Sequence, residues 1–542
     1  MIDLPQYYRE KAGAFIKTVV CFDDKAEYPK KSPYIKVSTS VPSDGFEPGT
    51  PAPDDQEKKA IDAKQEDGES ESDELNAHAL IEAFAQKDVL CSVIAPSSEQ
   101  EAIKAQILAL TRVADIAILD WKLAPKDPTI ARDAIVSIVK SDIECGGRVR
   151  LIAIYSDANA VDVLTELEAL LKENGFSLNL EDKELKGEHA LIVFFQKPKT
   201  PKPTADVVEY KDLPDRTIEE FSKLTSGLLP VAALSAITEI RQQTHHLLAT
   251  FPSTLDGAFI AHRCLIPDPN DAEQFLLDII ESEIGALLRH KGVGRSVSAE
   301  KCVAWTGQID GIAADKKPQI NNLITDYCDD IKEAFRSIFP GKKLKEHEMA
   351  KKIMELLYKN TENEIDAAKI GLSILASLDA SQKTKMGVMP KLQLGSIVRC
   401  ISNGDYLLCV QPLCDSVRIS HENGSRFPFL ILKQVDDADV NASLDICLYE
   451  HNLIKWLTAK TKPSDLVSIP FKGKSDQEKY VEAVQEGESY LFCDASGKYE
   501  FEWMGELKTG KAQRVASQLA ARLHTLGIDE FEWQRLRQRQ AN

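Results

Sequence analysis

Apolar positions in the first 200 residues switch repeatedly between two spacings, one of a buried strand and one of an amphipathic helix. AFIKTVVCF predicts an opening strand over 15–22, and LNAHALIEAFAQK (75–87) has apolar residues at helical spacing. VLCSVIAP (89–96) is a continuous apolar run, a strand, and SSEQEAIKAQILALTRVA (97–114) reads as a capped helix. DIAILD (115–120) predicts a strand, TIARDAIVSIVKSD (129–142) a helix, and RVRLIAIYS (148–156) a strand. NAVDVLTELEALLKENG (159–175) is a helix ending at Gly175, and HALIVFFQKP (189–198) is a last strand stopped by proline. Apolar strands between helices predict an α/β domain, a doubly wound five-stranded parallel sheet covered on both faces. It spans about 1–200.

One stretch breaks the pattern. Residues 29–74 hold SVPSDGFEPGTPAPDD and QEDGESESDE, rich in Pro, Gly, Ser and acid, which reads as a mobile acidic insertion with room for a short hairpin at SPYIKVSTSV. Past the Pro- and Lys-rich linker at 198–210 the spacing turns helical, in 217–251, 271–292 and 317–339, and predicts a helical domain over 205–385. Short strands with Asn-Gly and Ser-Gly turns then predict a mainly β domain over 390–510, a small antiparallel barrel or sandwich. Residues 511–542 read as one or two closing amphipathic helices.

Composition narrows the function classes. A net charge of −19 argues against nucleic acid as the main partner. No apolar run approaches the roughly 20 residues that span a bilayer, and MIDLPQYYREKAG has no signal-peptide pattern. Eleven cysteines are scattered singly, as expected of reduced thiols in a cytoplasmic protein. No phosphate loop, dinucleotide fingerprint, zinc-protease or nucleophile-elbow motif appears. His245, His246 and His262 read as helix-surface or interface residues, and Cys409 and Cys414 with Asp415 as thiols without zinc-knuckle spacing.

Ligands of a parallel sheet sit beyond the carboxyl ends of its strands, so the residues there carry the chemistry. The first strand ends in Asp23-Asp24, the third in Asp120, the fourth in Ser156 and the fifth in Lys197-Pro198. Adjacent carboxylates need a positive partner, and carboxylate, carbonyl and water oxygens make an octahedral Mg²⁺ site. Asp24, Asp120 and the backbone carbonyl of Lys122 are expected to hold the ion, with Asp23 reaching it through water. Asp120 keeps one oxygen free to attack a phosphoryl group in line, while Lys197 and Ser156 take phosphoryl oxygens.

In these positions and in this order, residues 10–198 resemble a response-regulator receiver, the CheY-like domain. The resemblance also places Phe194, three residues before the lysine, as the switch aromatic, and Ser156 where Thr is commoner. It implies a phosphoacceptor for a histidine kinase, not itself an enzyme beyond slow hydrolysis of its own aspartyl phosphate. The layout is similar to the effector-less receiver protein of Detocs-type phage-defence two-component systems, which implies a phosphoryl sink and a second receiver or effector protein in the same pathway. Two other readings stand beside it: a response regulator whose C-terminal region is an effector switched by phosphorylation, and a scaffold that uses the receiver only for docking.

Overall fold

The computed structural model describes residues 2–27, 75–96, 100–123, 127–181, 183–187, 190–198, 207–266, 269, 271–309, 312–326, 335, 338–339, 346–358, 362–381, 387–435, 445–450 and 453–524. The acidic insertion expected at 29–74, its hairpin, and any tail helix past 524 lie outside the described residues. The chain divides into two compact units, residues 1–246 with 285–305, and residues 247–284 with 306–542.

In the first unit the alternating pattern folds as α1 (Leu4–Phe15), β1 (Thr18–Phe22), α2 (Ala77–Ala85), β2 (Leu90–Ile94), α3 (Gln100–Thr111) and β3 (Ile116–Leu119). It continues through α4 (Thr129–Glu144), β4 (Arg150–Ser156), α5 (Ala160–Glu173), β5 (Asn179–Glu181), β6 (Glu184–Lys186), β7 (Ala190–Gln196), α6 (Leu213–Leu224) and α7 (Leu228–Gln242). The sheet order is β2-β1-β3-β4-β7-β6-β5. The first five of these strands run parallel, and β6 and β5 are antiparallel additions along the β7 edge. The architecture is therefore a mostly parallel, doubly wound sheet with helices on both faces, and helical and β-rich regions follow it.

Alternation along each strand sorts the core in two. Phe22, Leu119, Ile154 and Phe194 face Ile107, Ile135 and Leu167 of α3, α4 and α5. Their neighbours Cys21, Ile118, Tyr155 and Phe195 face Ala12, Leu80, Phe84 and Phe221 of α1, α2 and α6. Asparagine caps start two of the helices: Asn76 accepts from the Ala79 amide (3.0 Å) and Asn159 from Val161 (3.0 Å). At the amino end of β4 the buried Arg150 guanidinium pairs with Asp142 of α4 (2.9 Å) and donates to the Ala114 carbonyl (3.2 Å). Burying that charge is tolerable because each donor has a partner.

Four features differ from the sequence expectation. The opening strand begins at Thr18, because Asp3 caps a helix that runs to Phe15. The sheet has seven strands rather than five, since residues 179–186 form a hairpin paired to β7. The helical run expected over 217–251 is three helices, Leu213–Leu224, Leu228–Gln242 and Thr244–Ala249. Gly227, at φ 128°, makes the first break in a conformation that side chains avoid. Finally, α6 contributes Leu213, Ile218 and Phe221 to the core over the sheet, beyond residue 200.

In the second unit, helices Lys317–Thr325, Glu346–Leu357 and Glu362–Ser377 precede a ten-stranded antiparallel sheet. Eight of its strands run in the order Asp445–Glu450, Leu453–Ala459, Ser425–Gln434, Tyr406–Cys409, Ser396–Cys400, Glu500–Leu507, Ser489–Cys493 and Val484–Glu486. Leu378–Ser381 pairs with Glu500–Leu507, and Leu466–Phe471 pairs with Ser425–Gln434. Alternation again makes two cores, one around Ile397, Leu408, Leu448 and Met504, the other around Phe427, Phe471 and Trp503. Helix Thr509–His524 closes the first of these with Ala512, Val515 and Leu519. Within 404–420 a strand forms only over Tyr406–Cys409, because Pro412 starts a short helix at Leu413–Ser416. No helix among the described residues is long and apolar enough to cross a membrane.

Candidate phosphoacceptor site

Parallel strands that end in register deliver their next residues to one place. The Asp23 amide donates to Ile94 O at the end of β2 (3.1 Å), and the Asp120 amide to Phe22 O at the end of β1 (2.9 Å). The Lys197 amide donates to Ser156 O (3.0 Å). Asp23, Asp24, Asp120, Ser156 and Lys197 thereby gather at the carboxyl edge of the sheet, where open α/β folds place ligands.

The side chains converge on Asp120. Its Oδ1 accepts from Ser156 Oγ (2.7 Å) and from the Lys122 amide (3.2 Å), while its Oδ2 accepts from Lys197 Nζ (2.5 Å). The same ammonium reaches Asp23 Oδ2 at 2.7 Å, and Asp23 Oδ1 takes the Lys25 amide at 2.9 Å. Asp23, Asp120 and Ser156 are all buried, with Asp23 only 1% exposed.

Electrostatics follow from that crowding. Burial pushes the Lys197 ammonium down, but the charges of Asp120 and Asp23 outweigh it and hold it above the ordinary lysine value. Asp24 is raised above the usual carboxylate range, first by burial and then by the like charges of Asp120 and Asp23.

A hard cation fits this donor set. Asp23, Asp24 and Asp120 each bring an oxygen within 4.8 Å of the others. They are the one such group of three among the described residues. Asp24 Oδ1 is buried with no hydrogen-bond partner, an acceptor lacking a donor. Three carboxylates share the ammonium of Lys197, and Lys25 offsets Asp24 only in part, which leaves negative charge of the kind oxygen-ligated Mg²⁺ neutralises.

The other residues singled out in the sequence lie elsewhere or play a second part. Phe194 sits in β7 in the α3–α5 core, 9% exposed. Besides its amide bond to Asp120, Lys122 turns its ammonium to Asp157 (2.9 Å). Burial pushes Asp157 up, yet that hydrogen bond and charge leave its carboxyl below the ordinary range. Sequence reasoning passed over Asp157, although it directly follows Ser156 in AIYSDA. His245 and His246 are exposed, and His262 lies against the Phe275 ring, centroids 4.6 Å apart. Cys409 is buried and Cys414 exposed.

No curated protein and no solved structure matches the chain. Residues 15–202 match the family model described as a response receiver domain, a stretch that takes in the parallel sheet and the strand ends carrying Asp23, Asp24, Asp120, Ser156 and Lys197.

Proposed function

We propose that Asp120 accepts a phosphoryl group from a histidine kinase. The observation that carries this is a buried carboxylate held on one oxygen by Ser156 and on the other by Lys197, beside two further acids. An Asp120 oxygen attacks phosphorus in line; the new O–P bond forms as the donor's P–N bond breaks, and the imidazole nitrogen leaves with the electron pair and takes up a proton. Lys197 then neutralises one phosphoryl oxygen and Ser156 donates to another, interactions that both side chains already make to the free carboxylate. Asp23, Asp24, Asp120 and the Lys122 carbonyl would hold Mg²⁺, which when bound offsets the charge that builds on the transferred group. Phe194 is proposed to turn as Ser156 shifts toward the phosphoryl group.

The finer role is a phosphoryl sink that drains a kinase in phage defence, supported by the likeness of the chain's layout to the Detocs-type receiver without an effector. Purified protein is incubated with acetyl phosphate and Mg²⁺ and run on a phosphate-affinity gel beside Asp120→Ala. A metal-dependent shifted band lost in the variant is the expected result, and no shift with either acetyl phosphate or a kinase overturns the reading. A sink releases inorganic phosphate continuously when supplied with phosphorylated kinase; one stoichiometric transfer, stably held, contradicts that role.

A further inference from the structure

Tyr155 and Ser156 are consecutive in β4, so their side chains point to opposite faces. Ser156 Oγ meets Asp120 (2.7 Å), whereas the Tyr155 ring lies in the core with α1, α2 and α6, 2% exposed. A buried tyrosine needs a partner for its hydroxyl, and this one donates to the Val208 carbonyl at 2.9 Å. Val208 belongs to the chain that leaves the sheet for α6. Its amide donates back to Gln196 O at the end of β7 (3.0 Å), and Gln196 and Val207 form a parallel bridge. Gln196 Nε2 donates to the Ser156 carbonyl (3.3 Å). Lys197 Nζ stands 5.5 Å from the centre of the Tyr155 ring.

These contacts close a loop. Ser156 and Lys197, which grip Asp120, are joined through Tyr155 and Gln196 to residues 207–208, and from there the chain enters α6, whose Leu213 and Phe221 share the Tyr155 core. We propose that Tyr155 is a positioning residue whose hydroxyl couples the acceptor site to the segment 207–224. A change in what Asp120 carries moves Ser156 and Lys197, and the Tyr155–Val208 bond passes that movement to the start of α6. The inference rests on Asp120 being the acceptor, but the coupling itself depends only on the Lys197 and Ser156 contacts. A tyrosine that merely filled the core would be replaced by phenylalanine without effect on how 207–224 responds to Asp120.

The test is hydrogen–deuterium exchange on the full chain, wild type and Tyr155→Phe, with Mg²⁺ alone and with acetyl phosphate, intact mass reporting uptake. A second arm compares Asp120→Asn with the Asp120→Asn/Tyr155→Phe double variant, which perturbs the Lys197 contact without phosphoryl transfer. Phenylalanine keeps the ring under Lys197 and removes one neutral hydrogen bond, so exchange at the Val208 amide rises about fivefold. In the wild-type background, phosphoryl loading and Asp120→Asn each change exchange over 207–224; with Tyr155→Phe both responses vanish. Responses that persist in Tyr155→Phe, or that are missing from 207–224 in the wild-type background, overturn the coupling. A mass that never rises counts against the acceptor reading, and the Asp120→Asn arm then decides the coupling by the same criterion.

Discussion

Two buried charge clusters, one in each unit, use the same residue types and come out differently. In the β-rich unit Arg399 pairs with Glu502 (2.6 Å) and Glu450 (3.2 Å), and Lys455 pairs with Glu450 (2.7 Å). Ser489 donates to the remaining Glu502 oxygen at 2.8 Å. Two bases meet two acids, although the Arg399 Nε–Glu450 contact is an ion pair without a hydrogen bond. At the edge of the parallel sheet Asp23 and Asp120 share the ammonium of Lys197, Lys25 offsets Asp24 only in part, and Asp24 Oδ1 has no donor. A balanced network offsets its own desolvation and serves the fold; an unbalanced one is stabilised by the fold around it and is poised for a ligand. Charge count, rather than burial, separates the two.

The largest effect that breaks this contrast is chemical. Asp120→Asn removes the attacking oxygen and lowers phosphoryl uptake to background on the gel, whereas Glu502→Gln in the other cluster leaves uptake at the wild-type level. The next is structural and runs the other way. Arg399→Met strands Glu502 in a buried site and destabilises the β-rich unit by about 2 kcal/mol, a reduced figure because Arg399 is partly exposed, read from exchange of strands 396–400 and 500–507.

A smaller effect sharpens the comparison through metal and pH. Asp24→Asn removes one of three crowded negative charges and stabilises the metal-free receiver by about 1 kcal/mol. Its thermal midpoint rises less with millimolar Mg²⁺ than that of the wild type, because the cation loses a ligand. The pH dependence has a definite sign. Asp24 binds its proton more tightly in the folded state, first through burial and then through Asp120 and Asp23. Stability from the protonated form is therefore complete below the ordinary aspartate value of about 3.9 and is lost as pH rises through the raised value. The advantage of the Asn variant over wild type accordingly grows across that window, which denaturant titrations at several pH values would resolve. The smallest effect belongs to the exposed Lys122–Asp157 pair: Asp157→Asn changes stability by less than about 1 kcal/mol in the same titrations.

The gathering of strand ends was legible because parallel topology makes them converge, so the residues after Phe22, Leu119, Tyr155 and Gln196 could be read as neighbours from order alone. The sequence did not disclose that Asp120 is gripped on both oxygens, which depends on side-chain reach. The β5–β6 hairpin went unread because two three-residue strands carry almost no periodicity and are stabilised by pairing with β7. The apolar stripe of α6 was plain as a helix, but an amphipathic pattern does not say which sheet it covers. In the β-rich unit LIKWLTA and LVSIPF, strands at 453–459 and 466–471, went unread because neither alternates cleanly in burial; both are stabilised by pairing with Ser425–Gln434. Tyr155 and Val208 lie 53 residues apart in a contact no local pattern foretells.

The most direct test of the central claim is to trap the product where it forms. Full-length protein is loaded with acetyl phosphate and Mg²⁺, reduced with borohydride, which converts an aspartyl phosphate to homoserine, and mapped by tandem mass spectrometry. The account predicts conversion at Asp120, dependent on Mg²⁺ and lost on replacing Lys197 with Met. Conversion at another carboxylate, or at none while a phosphorylated kinase is present, would contradict it.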